Sequence, residues 1–310
     1  VVQTKFNSIL FPSEFLVCRI KEDEAVNDLS RVVTGPLWAA RNWSTDEGAG
    51  SIHDDETAEN LGFRGGTVAG DIHMNQFPPV MLKTFGNEWF ERGHLSLNFR
   101  NATIDKERVQ VFATRPEQSG AQTRVWMERE DGMLVCEGTA AVGSNDESAL
   151  RSIDYRACDP EELQVLRRVK PGMSLGDYDV LARPDKQFDR YDKNLISDPL
   201  SWYRHDSPWG GPLAAPCTVL EFLWGSSMIG LAPLVEEATS LFGAMEIAFT
   251  KGPMLLDKDY HIETVVVCVG QSPKTEYVWY EQKAFDQAGD LVVTLLIQSR
   301  AMKASSPLYE

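Results

Sequence analysis

The sequence predicts an α+β fold built twice from one unit, an antiparallel β-sheet wrapped on a long central helix. The duplication is predicted by three pairs of similar segments that occur in the same order, with offsets of 150, 153 and 145 positions. They are GHLSLNF (93–99) with GAMEIAF (243–249), VWMERE (125–130) with VWYEQK (278–283), and GGTVAG (65–70) with GGPLAA (210–215). Such internal repeats fix the architecture of a chain.

Each copy begins with a glycine pair and continues with an apolar stretch of helical length, at 67–85 and at 213–234. A helix that is apolar all round has to be covered on several sides, so each stretch implies a sheet around it. Pro78 and Pro79 conflict with a continuous helix, and a kink or break is expected near Phe77. The strands, rich in Val, Thr and aromatic residues, are predicted at 95–101, 108–115, 123–129 and 134–142, and again at 244–250, 261–269, 275–284 and 291–302.

The repeat also predicts the division of the chain. An N-terminal half spans 1–143, a charged linker spans 144–175, and a C-terminal half spans 176–310. A chain of 310 residues with 43% apolar and 25% charged residues can bury a sizeable core in each half.

Composition excludes several function classes. The net charge of −16 argues against binding the phosphate backbone of nucleic acids. The five cysteines are an odd number without a CxxC pair, so neither a zinc site nor a disulfide framework is expected. No apolar run approaches the length of a membrane-spanning helix, and the N-terminal residues do not follow the pattern of a signal peptide. We therefore expect a cytoplasmic protein that uses neither a metal nor a cofactor and does not bind a membrane.

The densest group of reactive side chains lies just before the first predicted helix. His53 follows a glycine-rich loop that carries Asp46 and Glu47, and three glycines lead from it into the helix, namely Gly65, Gly66 and Gly70. Histidine and carboxylate are the usual general acid–base pair. The amides at a helix N-terminus can stabilise an oxyanion. Together these groups point to chemistry on a carbonyl-conjugated substrate.

A structural interpretation of the same stretch stays open, because Asp54 and Asp55 also fit as caps of a short helix. Asp71 is likewise either a catalytic carboxylate or a charge favoured by the helix dipole. His73 lies two residues further on and is expected on the pocket wall with Asn75 and Gln76. Several polar residues on one core helix are more than packing requires.

The segment SIHDDETAENLGFRGGTVAG (51–70) resembles the active-site segment of MaoC-like hydratases, also called R-specific enoyl-CoA hydratases. The matching positions are His53, Asp55, Ala58, Gly62, Phe63, Gly65, Val68, Ala69 and Gly70. FERGHLSLNFRNAT (90–103) is similar to the strand that follows the central helix in that family. The resemblance implies a hot-dog fold and, with the duplication, a double hot-dog with two long central helices.

The resemblance also implies a reaction. These enzymes are lyases that add water to an enoyl thioester or remove it. His53 would be the acid–base residue, the amide near Gly70 would bind the thioester oxygen, and Gly65, Gly66, His73 and Phe63 would lie around the substrate. In the family a carboxylate precedes the histidine by five residues, but Gly48 occupies that position here. Asp46 or Glu47 is therefore the expected partner.

Several alternatives stay open. The protein could be a hot-dog thioesterase that uses Asp71, or a binding protein for an acyl or other small molecule that lost the carboxylate at Gly48. In the second copy the position facing His53 at an offset of 145 is Asp198, so the histidine is absent. That copy is expected to shape the tunnel for the substrate tail. An acyl-CoA substrate and a homodimer of double hot-dogs are compatible with the family, whereas the sequence does not identify substrate or direction.

Overall fold

The structure, a computed structural model, describes residues 31–42 and 50–309. The first half contains strands β1 (Val32–Ala39), β2 (Gly93–Phe99), β3 (Arg108–Thr114), β4 (Thr123–Arg129) and β5 (Leu134–Val142), with helices α1 (Asp55–Asn60), α2 (Gly70–Met74), α3 (Pro78–Phe85) and α4 (Glu88–Arg92). The second half contains strands β6 (Ser174–Leu181), β7 (Ser240–Phe249), β8 (Asp259–Gln271), β9 (Thr275–Phe285) and β10 (Leu291–Met302), with helices α5 (Pro184–Asp192) and α6 (Pro216–Leu231).

All ten strands form one antiparallel sheet in the order β1-β3-β4-β5-β2-β7-β10-β9-β8-β6. The strands of the second half follow one another from the β6 edge in the same order as their counterparts in the first half follow from the β1 edge. The counterparts are β1 and β6, β3 and β8, β4 and β9, β5 and β10, and β2 and β7. At the centre β2 pairs with β7, and their register places Ser96 opposite Glu246. These two positions are equivalent in the repeat, so a pseudo-twofold axis passes between them. The topology confirms the duplication predicted from the sequence.

The prediction of two long central helices is wrong for the first half. There the central segment is broken into α2 and α3, and Phe77 is the residue before Pro78 at the start of α3. The break occurs because two consecutive prolines lack N–H groups and are tolerated only in the first turn of a helix. The second half has one 16-residue helix, α6, which packs against α2 and against strands β6, β8 and β9.

One helical segment, Pro216–Leu234, is by length and composition apolar enough to cross a membrane. It consists of α6 and the short 3-10 turn that follows. Residues on the sheet side of α6 are fully buried, among them Val219 and Leu223. A helix in contact with a sheet and with a second helix needs such an apolar surface, and the position of α6 in the core accounts for its composition.

Four elements were absent from the sequence-based prediction: the edge strands β1 and β6 and the helices α4 and α5. Strand β6 begins at Ser174, just before the expected start of the second half at 176. The segment after β5 crosses the face of the sheet opposite the helices, where Leu150 packs with Trp279 and Leu296. Glu246, fully buried on that face, accepts hydrogen bonds from Asn145 and Arg151 of this segment.

Candidate functional site

His53 lies between the loop that follows β1 and the start of α1, with its side chain half-buried. Its Nδ1 is 2.7 Å from the backbone oxygen of Thr67. A carbonyl oxygen can only accept a hydrogen bond, so Nδ1 carries the proton and donates it. In the neutral ring Nε2 therefore keeps a free lone pair, which is the form that a general base requires.

The glycines before α2 shape the backbone around this histidine. Gly66 donates from its N–H to Asp55 Oδ1 at 2.7 Å. A methyl group on Gly66 would lie 2.2 Å from the backbone oxygen of His53, so only glycine fits there. Gly65 has a φ of +149°, which side-chain-bearing residues rarely adopt. The two glycines thus allow the Thr67 carbonyl to reach the imidazole ring.

The acidic residues next to His53 have structural roles. Asp54 caps α1 by accepting a hydrogen bond from the Thr57 N–H at 2.9 Å, and its hydrogen bonds to Thr57 lower its pKa. Asp55 holds Gly66, as described above. The half-buried Phe63 donates a hydrogen bond from its N–H to the backbone oxygen of Ala58 in α1. The capping interpretation of Asp54 is confirmed, and this cap belongs to the loop that carries His53.

The two carboxylates expected to pair with His53, Asp46 and Glu47, lie outside the described residues. Their role stays a prediction.

Gly70 begins α2 directly against the central strands. A methyl group there would lie 2.7 Å from the ring of Phe99 on β2 and 3.2 Å from Met245 on β7. No residue in the described part of the chain accepts a hydrogen bond from its N–H. The first amides of a helix carry partial positive charge and attract developing negative charge. The N–H of Gly70 is therefore the candidate oxyanion donor.

Asp71, the second candidate for catalysis, is 5% exposed. Its Oδ2 lies 2.8 Å from Nη1 of Arg190 on α5, and Arg190 Nε lies 3.0 Å from Glu221 Oε2 on α6. Sequence reasoning missed Arg190, because α5 was not predicted. The carboxylate of Asp71 is therefore held in a buried ion pair between the two halves.

His73 is 2% exposed, and its Nε2 lies 2.7 Å from the hydroxyl of Thr103. Burial lowers its pKa to about 4, while Asp71 and Gln76 act in the opposite direction. The ring is therefore neutral at pH 7. Its hydrogen bond to Thr103 links α2 to the segment between β2 and β3.

Two polar residues, Asn75 and Gln76, follow the end of α2, and Asn75 contacts the second half. Asn75 Oδ1 accepts a hydrogen bond from the N–H of Cys217 at 3.0 Å, near the start of α6. Two further buried polar atoms, Thr67 Oγ1 and Asn75 Nδ2, have no hydrogen-bond partner among the described residues.

The second half places Tyr203, and not Asp198, at the position of His53. Thr67 donates its N–H to the backbone oxygen of the residue before His53, and Leu213 donates in the same way to the residue before Tyr203. The equivalence assumed from a constant offset of 145 is wrong, because the loop length differs between the halves. The corrected position is occupied by Tyr203, so the second half lacks a histidine there too, as the sequence predicted.

Within 31–42 and 50–309 no group of three or more His, Cys, Asp or Glu side chains is arranged to hold a metal ion.

No protein-family model matches the sequence, and no curated protein matches it. Solved structures do match. A protein described as a MaoC domain dehydratase from Chloroflexus aurantiacus J-10-fl aligns with a TM-score of 0.56 and 9% identity, over 87% of this chain and 94% of that chain. A MaoC-like dehydratase aligns with a TM-score of 0.51 and 11% identity, over 88% and 98%.

A third structure, a conserved protein from Mycobacterium tuberculosis described as a double hot-dog, aligns with a TM-score of 0.50 and 13% identity, over 88% of this chain and 97% of that chain. At these identities the likeness shows the fold. The chain has the double hot-dog fold found in MaoC-like dehydratases, and the predicted resemblance to these proteins is confirmed at that level.

Proposed function

We propose that this protein is a hydratase or dehydratase that adds water to, or removes it from, an α,β-unsaturated carbonyl compound. Its substrate class is an acyl thioester. His53 transfers the proton, the amide of Gly70 binds the carbonyl oxygen, and Asp46 or Glu47 supplies the carboxylate partner.

The observation that carries this proposal is the hydrogen bond between His53 Nδ1 and the Thr67 oxygen. It holds one tautomer, so that Nε2 can accept a proton. The same short segment, from Thr67 to Gly70, supplies both the carbonyl that orients the ring and an amide that has no acceptor among the described residues. One short stretch of backbone therefore positions both the base and the oxyanion donor. Acid–base catalysis on a carbonyl compound uses both groups.

In the hydration direction, His53 Nε2 accepts a proton from water while the water oxygen bonds to the β-carbon of the substrate. The π electrons of the double bond move toward the carbonyl oxygen, whose negative charge the Gly70 N–H stabilises. The proton on the imidazolium then returns to the α-carbon, directly or through the carboxylate partner. The net change is addition of one water molecule, and dehydration follows the same steps in reverse.

The alternative reaction, thioester hydrolysis by Asp71, is disfavoured by its ion pair. A carboxylate that is 5% exposed and bonded to Arg190 at 2.8 Å is a poor nucleophile, because the guanidinium occupies its oxygen and the substrate has little access to it.

The test is an assay with crotonyl-CoA and longer enoyl-CoAs that follows loss of the conjugated absorbance. His53→Ala is expected to lower kcat/KM by about 10²–10⁴-fold, the usual contribution of a general acid–base residue. His205→Ala is the matched control, because His205 is exposed on a turn of the second half. It is expected to retain full activity.

The same assay separates the alternatives. Release of free thiol without hydration would support a thioesterase instead. Tight binding of the enoyl-CoA without turnover in the native protein would support a binding protein. Equal activity of the native protein and His53→Ala would contradict the assignment of His53.

A further inference from the structure

The backbone of His53 is held from a second direction, by the side chain of Asn42 just after β1. Asn42 is 6% exposed, and its Nδ2 lies 2.7 Å from the backbone oxygen of His53. A carbonyl oxygen can only accept a hydrogen bond, so the side-chain amide of Asn42 donates it. This bond fixes the peptide group that follows His53, whereas the bond to Thr67 fixes the ring.

Asn42 is itself anchored to the connection between β2 and β3. Its N–H donates to Asp105 Oδ1 at 2.9 Å, and Arg41 Nε lies 3.2 Å from the same oxygen. Lys106, next to Asp105, donates its N–H to the backbone oxygen of Ala40 at 2.6 Å. Two neighbouring residues of this connection thus hold the backbone at and just before Asn42, so its side chain reaches His53 from a fixed point.

Gly66 closes the contact between Asn42 and His53. A methyl group on Gly66 would lie 2.9 Å from Asn42 Nδ2 and 2.2 Å from the backbone oxygen of His53. The three groups are therefore packed against one another, and Thr67 follows Gly66 directly in the chain. The hydrogen bond that fixes the His53 peptide group thus lies next to the backbone stretch whose carbonyl fixes the ring.

We propose that Asn42 is a positioning residue of the His53 site. It holds the peptide group after His53, so that Nδ1 stays within reach of the Thr67 oxygen and Nε2 keeps one direction toward the substrate. This proposal rests on the proposed function of His53. Asn42 itself presents little surface to a ligand, so it contributes to the placement of the ring and not to contact with the substrate.

The chemistry of the contact requires a hydrogen-bond donor at position 42. At 2.7 Å from an oxygen that can only accept, an amide nitrogen forms a hydrogen bond, whereas a carboxylate oxygen in the same place would be repelled. Asn42→Asp therefore reverses the contact with almost no change in volume. Asn42→Gln keeps the donor on a longer side chain, so it is the variant expected to restore part of the positioning.

The enoyl-CoA assay separates positioning from a general loss of packing. Asn42→Asp is expected to lower kcat by about 10- to 100-fold, because a small displacement of a catalytic group slows a reaction by that order. KM is expected to stay within about two-fold of the native value, since Asn42 does not bind the substrate. The kcat of Asn42→Gln is expected to lie between those of Asn42→Asp and the native protein.

Asn101→Asp is the matched control. Asn101 Nδ2 donates to the backbone oxygen of Leu134 at 2.7 Å, which is the same kind of hydrogen bond at the same length. Asn101 lies at an exposed position after β2. The substitution is expected to leave both kcat and KM at their native values.

The ¹⁵N chemical shifts of the His53 ring test the proposal without turnover. In the native protein the neutral ring is expected to carry its proton on Nδ1. In Asn42→Asp the two tautomers are expected to mix, so that the shifts of the two ring nitrogens move toward each other. If the native protein does not hydrate enoyl-CoAs, the proposed function fails, and this measurement still decides the role of Asn42.

Three results would each overturn the proposal: native ring shifts in folded Asn42→Asp, a native kcat in that variant, or a kcat in Asn42→Gln no higher than in Asn42→Asp. Asn42→Ala removes the donor without adding a charge. It replaces Asn42→Asp in both measurements if the aspartate variant does not fold.

Discussion

Asp71 on α2 and Arg190 on α5 form a buried ion pair that joins the two halves of the molecule. Asp71 Oδ2 and Arg190 Nη1 are 2.8 Å apart, and the two side chains are 6% and 12% exposed. Arg190 reaches Glu221 on α6 as well. Because α2 and α6 are in contact, this pair fixes the position of the helix start that carries the Gly70 amide relative to the second half.

Breaking this pair is expected to destabilise the fold. Asp71→Ala removes one acidic partner of the buried Arg190 and leaves Glu221 in place, and removing one member of a buried pair typically costs 3–5 kcal/mol. Since Glu221 remains, we expect a loss of about 3 kcal/mol in the free energy of unfolding. Urea denaturation of the native protein and the variant measures this difference.

Asp185→Asn serves as the control, because the pair of Asp185 with Arg183 is solvent-exposed. Exposed pairs contribute little, and no measurable change in stability is expected. If Asp71→Ala unfolded at the same urea concentration as the native protein, the pair would not hold the halves together.

The orientation of the His53 ring makes a spectroscopic prediction. Nδ1 donates to the Thr67 oxygen at 2.7 Å, so the neutral ring is expected to carry its proton on Nδ1. The ¹⁵N chemical shifts of the two ring nitrogens distinguish the tautomers directly. A neutral ring with the proton on Nε2 would contradict the geometry, because two acceptors would then face each other.

The second glycines of the two glycine pairs are expected to differ sharply in tolerance. A methyl group on Gly66 would lie 2.2 Å from the His53 oxygen, whereas nothing lies within 4 Å of one on Gly211. Gly66→Ala is expected to cost about 1–3 kcal/mol, as overpacking does, and to lower the proposed hydratase activity by moving the ring.

Gly211→Ala is the matched control, with a change within about 0.5 kcal/mol. Thermal unfolding and the enoyl-CoA assay test both variants. Equal behaviour of the two alanine variants would show that the close approach at Gly66 does not position His53.

The sequence was sufficient to predict the duplication and most of the strands. β4, β5 and β10 were predicted with the bounds that the structure shows, because β-branched residues recur in each of them. The break near Phe77 was also predictable, since consecutive prolines act locally. These strands and the helix break were therefore predictable from the properties of their own residues.

The missed features depend on long-range contacts. β1 carries Gly35 and Pro36 in its middle, which reads as a turn, yet the edge of the sheet accepts a bulge there. α5 has a polar composition typical of a surface helix, and nothing local indicates that Arg190 reaches Asp71. The equivalence of Tyr203 with His53 required backbone hydrogen bonds, because the halves differ in loop length.

His73 gives a prediction for the pH dependence of stability. Its pKa is about 4 in the folded protein, because burial disfavours the charged ring, against an ordinary value of 6.5. Below pH 6.5 the unfolded chain therefore binds a proton that the folded protein does not, and stability falls as the pH is lowered toward 4. Between about pH 7 and pH 5 the loss from this one group is about 2 kcal/mol.

His73→Gln keeps a polar partner for Thr103 but does not titrate, so its stability deficit relative to the native protein is expected to shrink by that amount over the same range. Urea denaturation at the two pH values measures it, and a deficit that stays constant with pH would show that the ring is not buried in its neutral form.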